Sequence, residues 1–502
     1  MKLRNSIIII VCLLSGIVFL YPDSQKDSCT FRRARLCGES KLREILAAGG
    51  PYGSIVIDKQ TGNHIARLTL SGKRILQQEG LSTEEILQGI QEGKYEVVSH
   101  QELINKALEH REKCVLVFTG GGDAAGINAV ISSAVLRLKE LRPDMTILGI
   151  RNAGSGLIVP PEEFPQQLVV IDELIARDIP RQASTFLGSS RIKPFREEHI
   201  NRTMENIKGF GGWLCTGGDD NLKTAREIAE AYPEMVVIAT AKTIDGDVVV
   251  DGRGVQCLGF DTASRVYRSE IYSAAQSART HGEVNQPMVM IIETFGRDTG
   301  RLAFESARPD KFQGLSEEEA KRQQELGDSI LIVVPEHPVI IEEIASRVKE
   351  MIEGQSEHDK SVTIVVAEGY RPKDEPDIIK NYETDHAGHR RLAGIGPVLE
   401  VRLQDLLGPG FKVRHALLNY EGRGALPSEY DLIMGTKIGR KMAELLAEGV
   451  TGGKFVGYLN EMDPRTEEPL VLELAGISDQ NTLNKYPLSV LQENNVILEE
   501  KP

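Results

Sequence analysis

Two apolar strands that each end in acidic residues dominate residues 211–247. The first strand leads through a glycine pair into Asp219 and Asp220, and helical spacing follows from Asn221 to Ala231. The second strand, Met235 to Ala239, leads into the segment KTIDGD. Strands that alternate with helices predict a parallel α/β sheet, in which ligands bind at the carboxyl ends of the strands. Four carboxylates and a lysine at two such ends indicate a metal and a phosphate rather than a hydrophobic ligand.

The same alternation starts at Cys114 and extends through most of the chain. The segment CVLVFTGGGDAAGINAVISS predicts a buried strand, a glycine-rich turn and an amphipathic helix, and TILGI is the next strand. The glycine-rich turn by itself fits an ordinary strand–helix loop as well as a phosphate cradle. Four further strands predict a second α/β lobe. We therefore divide the chain into a hydrophobic segment 1–22, an N-terminal extension 23–112, a two-lobed catalytic region 113–450, and a C-terminal segment 451–502.

Charge and cysteine content exclude some classes of protein. The net charge of −14 argues against a nucleic-acid partner, which needs a basic face. Cys114, Cys215 and Cys257 lie in apolar, strand-like runs and are predicted to be reduced and buried.

In the extension, TGN at residues 61–63 predicts a hairpin turn, and Ser82 with a glutamate three residues later predicts a helix capping box.

The N-terminus allows three interpretations. Residues 7–21 are mostly apolar and follow Lys2 and Arg4, but they are fewer than the roughly 20 residues that a spanning helix needs. They could form a membrane-proximal anchor with weak membrane association, an export signal, or an extension that is not native. Because the chemistry of the catalytic region belongs in a cytosol, we predict a cytoplasmic protein with a hydrophobic segment of open role.

Nine short motifs, in order, resemble those of the phosphofructokinase family: TGGGDAAGINA, FLGSSR, GGDD, KTIDGD, GFDTA, ETFGR, VVPE, AEGY and NYEGR. The resemblance covers about residues 113–450. It implies a two-lobed α/β fold of mostly parallel sheets sandwiched by helices, with the active site between the two lobes. It also implies transfer of a phosphoryl group to the 1-hydroxyl of fructose 6-phosphate, a Mg²⁺ cofactor, and a homo-oligomer, either a dimer or a tetramer.

Two residues bear on the phosphoryl donor, which is ATP in one branch of the family and inorganic diphosphate in the other. Asp220 and Lys242 stand where typical ATP-dependent members have glycine, so the chain resembles the diphosphate branch. A carboxylate at Asp220 would repel the α-phosphate of a nucleotide, and Lys242 would neutralise diphosphate. The alternatives are an ATP-dependent 6-phosphofructokinase and a non-catalytic regulatory subunit of the same fold.

The resemblance also assigns roles to individual residues. Asp245 is the expected general base, acting with Asp220 and Lys242, and Asp219 is the expected magnesium ligand. Diphosphate is expected to contact Gly121 and Gly122 together with Asp220 and Lys242. The expected substrate-binding residues are Arg191, Thr243, Ile244, Asp247, Phe295, Gly296, Arg297, Glu336, Tyr420, Glu421, Gly422 and Arg423.

Overall fold

The computed structural model describes residues 38–49, 53–69, 71–283, 285–356, 360–376, 394–477 and 494–497. These residues form two compact units that divide between Lys106 and Ala107. The hydrophobic segment 1–22 and the three cysteines at positions 12, 29 and 37 lie outside the described residues. Within the described ranges, no helix combines the length and the apolar character needed to cross a bilayer.

The N-terminal unit is a four-stranded antiparallel sheet with the strand order β3-β2-β1-β4. The predicted hairpin is confirmed, since β1 and β2 pair antiparallel on either side of the TGN turn. The predicted capping box is also confirmed, because Ser82 and Glu85 exchange hydrogen bonds at the start of α2. The elements are α1 (38–47), β1 (Ser54–Asp58), β2 (His64–Leu68), β3 (Ile75–Gln77), α2 (Thr83–Gln91), β4 (Tyr95–Ser99) and α3 (His100–Leu108).

The first lobe of the C-terminal unit is built on a seven-stranded sheet with the order β17-β16-β9-β8-β5-β6-β7. Its five central strands run parallel, and the strand at each edge is antiparallel. The elements up to the second lobe are β5 (Cys114–Thr119), α4 (Ile127–Leu141), β6 (Thr146–Ile150), α5 (Gly154–Leu157), β7 (Leu168–Val170), α6 (Glu173–Asp178), α7 (Ile200–Ile207), β8 (Gly212–Gly217), α8 (Asp219–Ala231), β9 (Val236–Ala241), β10 (Val249–Val250), β11 (Arg253–Gly254) and α9 (Phe260–His281).

The second lobe is a four-stranded parallel sheet with the order β13-β14-β12-β15. Its core contains Val289, Leu331, Ile344, Val362 and Leu399, all almost fully buried. The remaining elements of the chain are β12 (Met288–Thr294), α10 (Arg301–Ala307), α11 (Glu317–Gly327), β13 (Ile330–Val333), α12 (Ile341–Glu353), β14 (Ser361–Ala367), α13 (Ile395–Leu407), β15 (Lys412–Leu417), α14 (Glu429–Glu448), β16 (Lys454–Gly457) and β17 (Leu470–Glu473).

The chain order of the strands determines where a ligand can sit. From β5 the chain crosses to β6 on one side, whereas from β8 it crosses to β9 on the other side. The carboxyl ends of β5 and β8 are therefore a topological switch point, where a crevice opens between the two crossovers. The Gly120 amide donates to the Thr216 carbonyl over 3.1 Å and ties the two loops together.

One predicted boundary was wrong. The helix expected from Asn221 begins at Asp219, so both acidic residues belong to the first turn of α8. Gly218 takes the capping position, and carboxylates in a first helical turn are stabilised by the helix dipole. As a consequence, Asp219 and Asp220 are held by a rigid helix rather than by a turn. The buried, unpaired thiols predicted for Cys114, Cys215 and Cys257 are confirmed.

Candidate active site

A cavity of about 410 Å³ lies at the carboxyl ends of β5, β8 and β9 and is closed on one side by residues of the second lobe. Most of the residues predicted for the site contribute to its lining. They come from loops that are far apart in sequence, and only the sheet topology brings them together. The predicted residues that line the cavity are Gly121, Gly122, Arg191, Asp219, Asp220, Lys242, Thr243, Asp245, Asp247, Arg297 and Arg423.

The glycine loop after β5 is pressed between two cationic side chains. Gly121 has a φ of +82°, and a methyl group on it would lie 3.1 Å from the Lys242 Nζ atom. A methyl group on Gly122 would lie 2.7 Å from the Arg423 Nη1 atom. Side chains at these positions would therefore displace both cations. The loop brings exposed backbone and two positive charges to the same point, which suits a phosphate group.

Lys242 follows β9 and is only 3% exposed. Its ammonium group donates to the Gly122 carbonyl. Burial, together with the nearby Arg423 charge, lowers the pKa of Lys242 to about 7. A lysine poised in this way gains a proton readily when an anion arrives, because the anion offsets the cost of desolvation.

Each acidic residue at the start of α8 is paired with a lysine. Asp219 lies 2.7 Å from the Lys223 Nζ atom, one helical turn further along. Asp220 lies 3.1 Å from the Lys193 Nζ atom, which belongs to the loop before α7. The four side chains line the same cavity. The sequence analysis assigned no role to these two lysines. The pairing of Lys193 with Asp220 depends on how the loop before α7 packs against α8.

Two further carboxylates lie deep in the cavity. The Asp245 Oδ1 atom is buried and has no hydrogen-bond partner among the described residues. Burial raises the pKa of Asp245, although the charges of Arg423 and Arg297 oppose this effect. Burial and the neighbouring Asp245 raise the pKa of Asp247 to about 7. A buried carboxylate that lines a cavity and has an unpartnered oxygen is a candidate proton acceptor for a ligand bound there.

The second lobe supplies aromatic support for one of the arginines. Arg423 stacks over the Phe295 ring at 4.4 Å from its centroid. Phe295 in turn packs edge-on against Tyr420, with ring centroids 6.3 Å apart. Tyr420 is 73% exposed and does not line the cavity. Phe295 therefore acts on the cavity by orienting Arg423.

Several predicted site residues do not line the cavity. Both oxygens of Glu336 accept from the Gly300 amide at 2.9 Å, and one also accepts from the Thr299 hydroxyl at 2.9 Å. Ile244 is fully buried, and Glu421 accepts from the Asn419 amide at 2.7 Å. Gly296 and Gly422 are likewise absent from the lining. The substrate roles expected for these residues stay predictions.

Two acidic residues were missed by the sequence reasoning. Asp298 lines the cavity directly after Arg297. Glu368 follows β14, and burial together with the Asp245 charge raises the pKa of Glu368 to about 7. The signal for Glu368 was present, because it belongs to the AEGY motif, whereas Asp298 directly follows the ETFGR motif. Nothing in the spacing showed that these residues approach Asp245.

The lining suits a divalent cation only in part. No group of three or more His, Cys, Asp or Glu side chains that could hold a metal ion occurs in the described part of the chain. Mg²⁺ in phosphoryl-transfer sites usually takes one or two carboxylates and completes its shell with substrate phosphates and water. Asp219, in the first turn of α8, lines the cavity and provides an oxygen ligand of this kind.

Comparison with known proteins places the chain in a family. The sequence model described as Phosphofructokinase matches residues 114–446. The pyrophosphate–fructose 6-phosphate 1-phosphotransferase of Amycolatopsis methanolica is 28% identical over 339 residues, which are 67% of this chain and 88% of that protein. The ATP-dependent 6-phosphofructokinase 3 of Streptomyces coelicolor is 30% identical over 342 residues, with the same coverage. Relatives at this distance thus use either donor.

Solved structures agree on the fold. A pyrophosphate-dependent phosphofructokinase from Nitrosospira multiformis superimposes with a TM-score of 0.56 at 18% identity, covering 73% of this chain and 85% of that one. A phosphofructokinase from Saccharomyces cerevisiae gives 0.54 at 18% identity, covering 72% of this chain and 45% of that one. The predicted two-lobed α/β fold of mostly parallel sheets is confirmed. With the family match spanning both lobes, the chain belongs to the phosphofructokinase family.

Proposed function

We propose that this chain transfers a phosphoryl group from inorganic diphosphate to the 1-hydroxyl of fructose 6-phosphate, giving fructose 1,6-bisphosphate and orthophosphate. The family and the names of its relatives support fructose 6-phosphate as acceptor. The choice of donor is the finer part of the proposal. Since the anhydride of diphosphate is a modest donor, the reaction is expected to run in both directions.

The observation that carries the donor choice is the buried ammonium group of Lys242 against the glycine loop. It lies where the backbone of Gly121 and Gly122 would meet a phosphate, so one end of a short, highly charged donor is neutralised there. Asp220 lines the same cavity and holds Lys193 in it. Lys242, Asp220 and Lys193 together would occupy the space that the phosphate chain of a nucleotide needs.

Asp245 is the proposed general base. Its unpartnered, buried oxygen would accept the proton of the sugar hydroxyl, while the charges of Arg297 and Arg423 oppose the rise in pKa that burial causes. Arg191 and Arg297 line the cavity beside it and would hold phosphate oxygens. The Thr243 hydroxyl accepts from the Asp245 amide over 3.1 Å and fixes the base relative to the strand end.

Asp219 is the proposed ligand of Mg²⁺, with the carboxylates of Asp245 and Asp247 within the same cavity. When bound, the ion would neutralise donor oxygens as charge develops during transfer. Asp219 would have to leave or share its ion pair with Lys223. The first turn of α8 holds the Asp219 backbone in place during this exchange.

The two alternatives make different predictions. An ATP-dependent enzyme would leave the Lys242 ammonium opposite a nucleotide, and Asp220 would face its α-phosphate. A regulatory subunit would not need a carboxylate buried without a hydrogen-bond partner, which costs stability. The buried Asp245 therefore favours catalysis over a purely regulatory role. The expected homo-oligomer and the cytoplasmic location stay predictions.

A donor comparison tests the proposal. The full chain is assayed with fructose 6-phosphate, Mg²⁺ and either diphosphate or ATP, and turnover with diphosphate is expected. Activity with ATP alone would overturn the donor choice, and no activity with either donor would favour the regulatory alternative. The variant Asp220→Gly, Lys242→Gly is expected to shift the ratio of kcat/KM values towards ATP. Lys321→Met, at an exposed position on α11, is the control and should leave that ratio unchanged.

A further inference from the structure

The loop before α7 places one lysine side chain against the start of α8. The Lys193 Nζ atom lies 3.2 Å from the Oδ1 atom and 3.1 Å from the Oδ2 atom of Asp220, so the ammonium group contacts both oxygens of the carboxylate. The two residues are 27 positions apart in the sequence, and both line the cavity of the candidate active site. The ion pair is therefore formed by tertiary packing and is part of the cavity wall.

The turn of helix that carries this ion pair packs against the glycine loop. A methyl group on Gly120 would lie 2.0 Å from the Asn221 Oδ1 atom, and one on Gly121 would lie 3.4 Å from the Asn221 Nδ2 atom. Asn221 directly follows Asp220 in the first turn of α8. A phosphate group held by the glycine loop therefore lies next to the turn of helix that holds Lys193.

The Asp220 carboxylate by itself would oppose the proposed donor. Diphosphate is an anion, as the phosphate chain of a nucleotide is, and an uncompensated carboxylate in the cavity would repel both. The Lys193 ammonium group offsets the charge of Asp220 at close range. The donor then meets an ion pair without net charge, and the Asp220 side chain still occupies its place in the cavity.

The Lys193 ammonium group also has hydrogen-bonding capacity beyond the ion pair. An ammonium group carries three N–H donors, and the two Asp220 oxygens contacted by it use at most two of them. The side chains of Lys193 and Asp220 are 30% and 42% exposed, so a ligand in the cavity can reach the pair. An ion pair of this exposure contributes little to stability, which fits a group that binds a ligand better than a structural bridge.

We propose that Lys193 binds the diphosphate donor while it stays paired with Asp220, and that it offsets the repulsion between Asp220 and the donor. Lys242 neutralises the donor at the glycine loop, and Lys193 supplies a second cation from a different loop. An ammonium group is a compact point charge, so it favours a compact and highly charged donor. The identity of the donor in this inference rests on the proposed function.

Binding is tested by calorimetry on the full chain in the presence of Mg²⁺. The probe is methylenediphosphonate, whose P–C–P bridge is not cleaved by phosphoryl transfer. Lys193→Met is expected to weaken binding of the probe at least about tenfold, whereas Lys193→Arg keeps the cation and should stay within about threefold. Lys321→Met, at an exposed position on α11, is the matched control and should bind normally. Unchanged melting temperatures would show that the variants are folded.

A double variant tests the compensation of charge. Lys193→Met leaves the Asp220 carboxylate facing the donor, so the addition of Asp220→Asn is expected to recover at least about threefold of the lost affinity. Recovery would identify Asp220 as the source of the repulsion. A double variant that binds the probe no better than Lys193→Met would overturn the compensation.

Initial rates separate this inference from the proposed function. Lys193→Met is expected to raise the KM for diphosphate at least about tenfold and to leave kcat and the KM for fructose 6-phosphate nearly unchanged. If Lys193→Met changes neither the affinity for the probe nor the KM for diphosphate, the inference fails and the proposed function stands. If the probe binds through Lys193 but the chain transfers no phosphoryl group from diphosphate, the proposed function fails and Lys193 remains an anion-binding residue.

Discussion

Replacing Lys242 with methionine gives a direct test of how the donor site works. Methionine keeps much of the length and the apolar stem of lysine while removing the charge. A hydrogen bond from a charged donor contributes about 1.5–3 kcal/mol, so kcat/KM for diphosphate is expected to fall by about 10- to 150-fold. The KM for fructose 6-phosphate should change little, because the ammonium group lies at the glycine loop.

The pH dependence of this variant separates charge from shape. With a pKa of about 7, Lys242 is half protonated at pH 7 and about one-tenth protonated at pH 8. If the protonated form binds the donor, kcat/KM for diphosphate falls by about fivefold over that interval. Lys242→Met should lose this alkaline limb, whereas Lys321→Met should keep it. Titration of diphosphate itself is common to all three proteins, so only the difference between profiles reports on Lys242.

The pH dependence of the unfolding free energy tests the lowered pKa of Lys242 independently of activity. The pKa of Lys242 is about 7 in the folded chain, and an unfolded lysine titrates near 10.4, so between these values the unfolded chain binds more protons. The free energy of unfolding therefore rises with pH across this window, by on the order of 5 kcal/mol in total. Lys242→Met should flatten that rise without lowering stability at pH 7. A methionine variant that is less stable at pH 7 and keeps the alkaline limb would refute the reasoning.

Three further changes test two residues of the site and one buried carboxylate of α14, Asp431. Asp245→Asn should lower kcat by about 10²- to 10⁴-fold without lowering the melting temperature, because it removes a base whose burial already costs stability; unchanged turnover would exclude Asp245 as the base. Gly121→Ala should raise the KM for diphosphate and cost about 1–2 kcal/mol in denaturant unfolding, since its φ is +82° and its new methyl group meets Lys242; an unchanged KM would contradict the phosphate cradle. Asp431→Ala should lower the unfolding free energy by at least about 2 kcal/mol, because Asp431 accepts from the amides of Gly259 and Thr262 at 3.0 Å; Glu448→Ala at the exposed end of α14 is its control, and equal stability of the two would rule out this anchor.

The fold could be predicted from local patterns because parallel strands leave a strong signal. Buried strands such as β5, β8 and β9 are continuous apolar runs, since both faces of the sheet are covered. The alternation with amphipathic helices then fixes the class of fold. The start of α8 was misplaced by two residues because acidic residues fit both a turn and a first helical turn.

The sequence also determined which residue types the site would contain. The glycine loop, the two acidic pairs and Lys242 were found because each follows a strand, and strand ends of one sheet lie at one edge. The spacing could not reveal the pairing of Asp220 with Lys193, the approach of Glu368 to Asp245, or the absence of Glu336 from the lining.

Only the tertiary structure decided the electrostatics of those residues. The pKa of Lys242 drops and the pKa of Asp245 rises mainly because both side chains are buried in the folded chain. Burial and distance depend on how remote segments pack, whereas a linear pattern carries only the spacing along the chain.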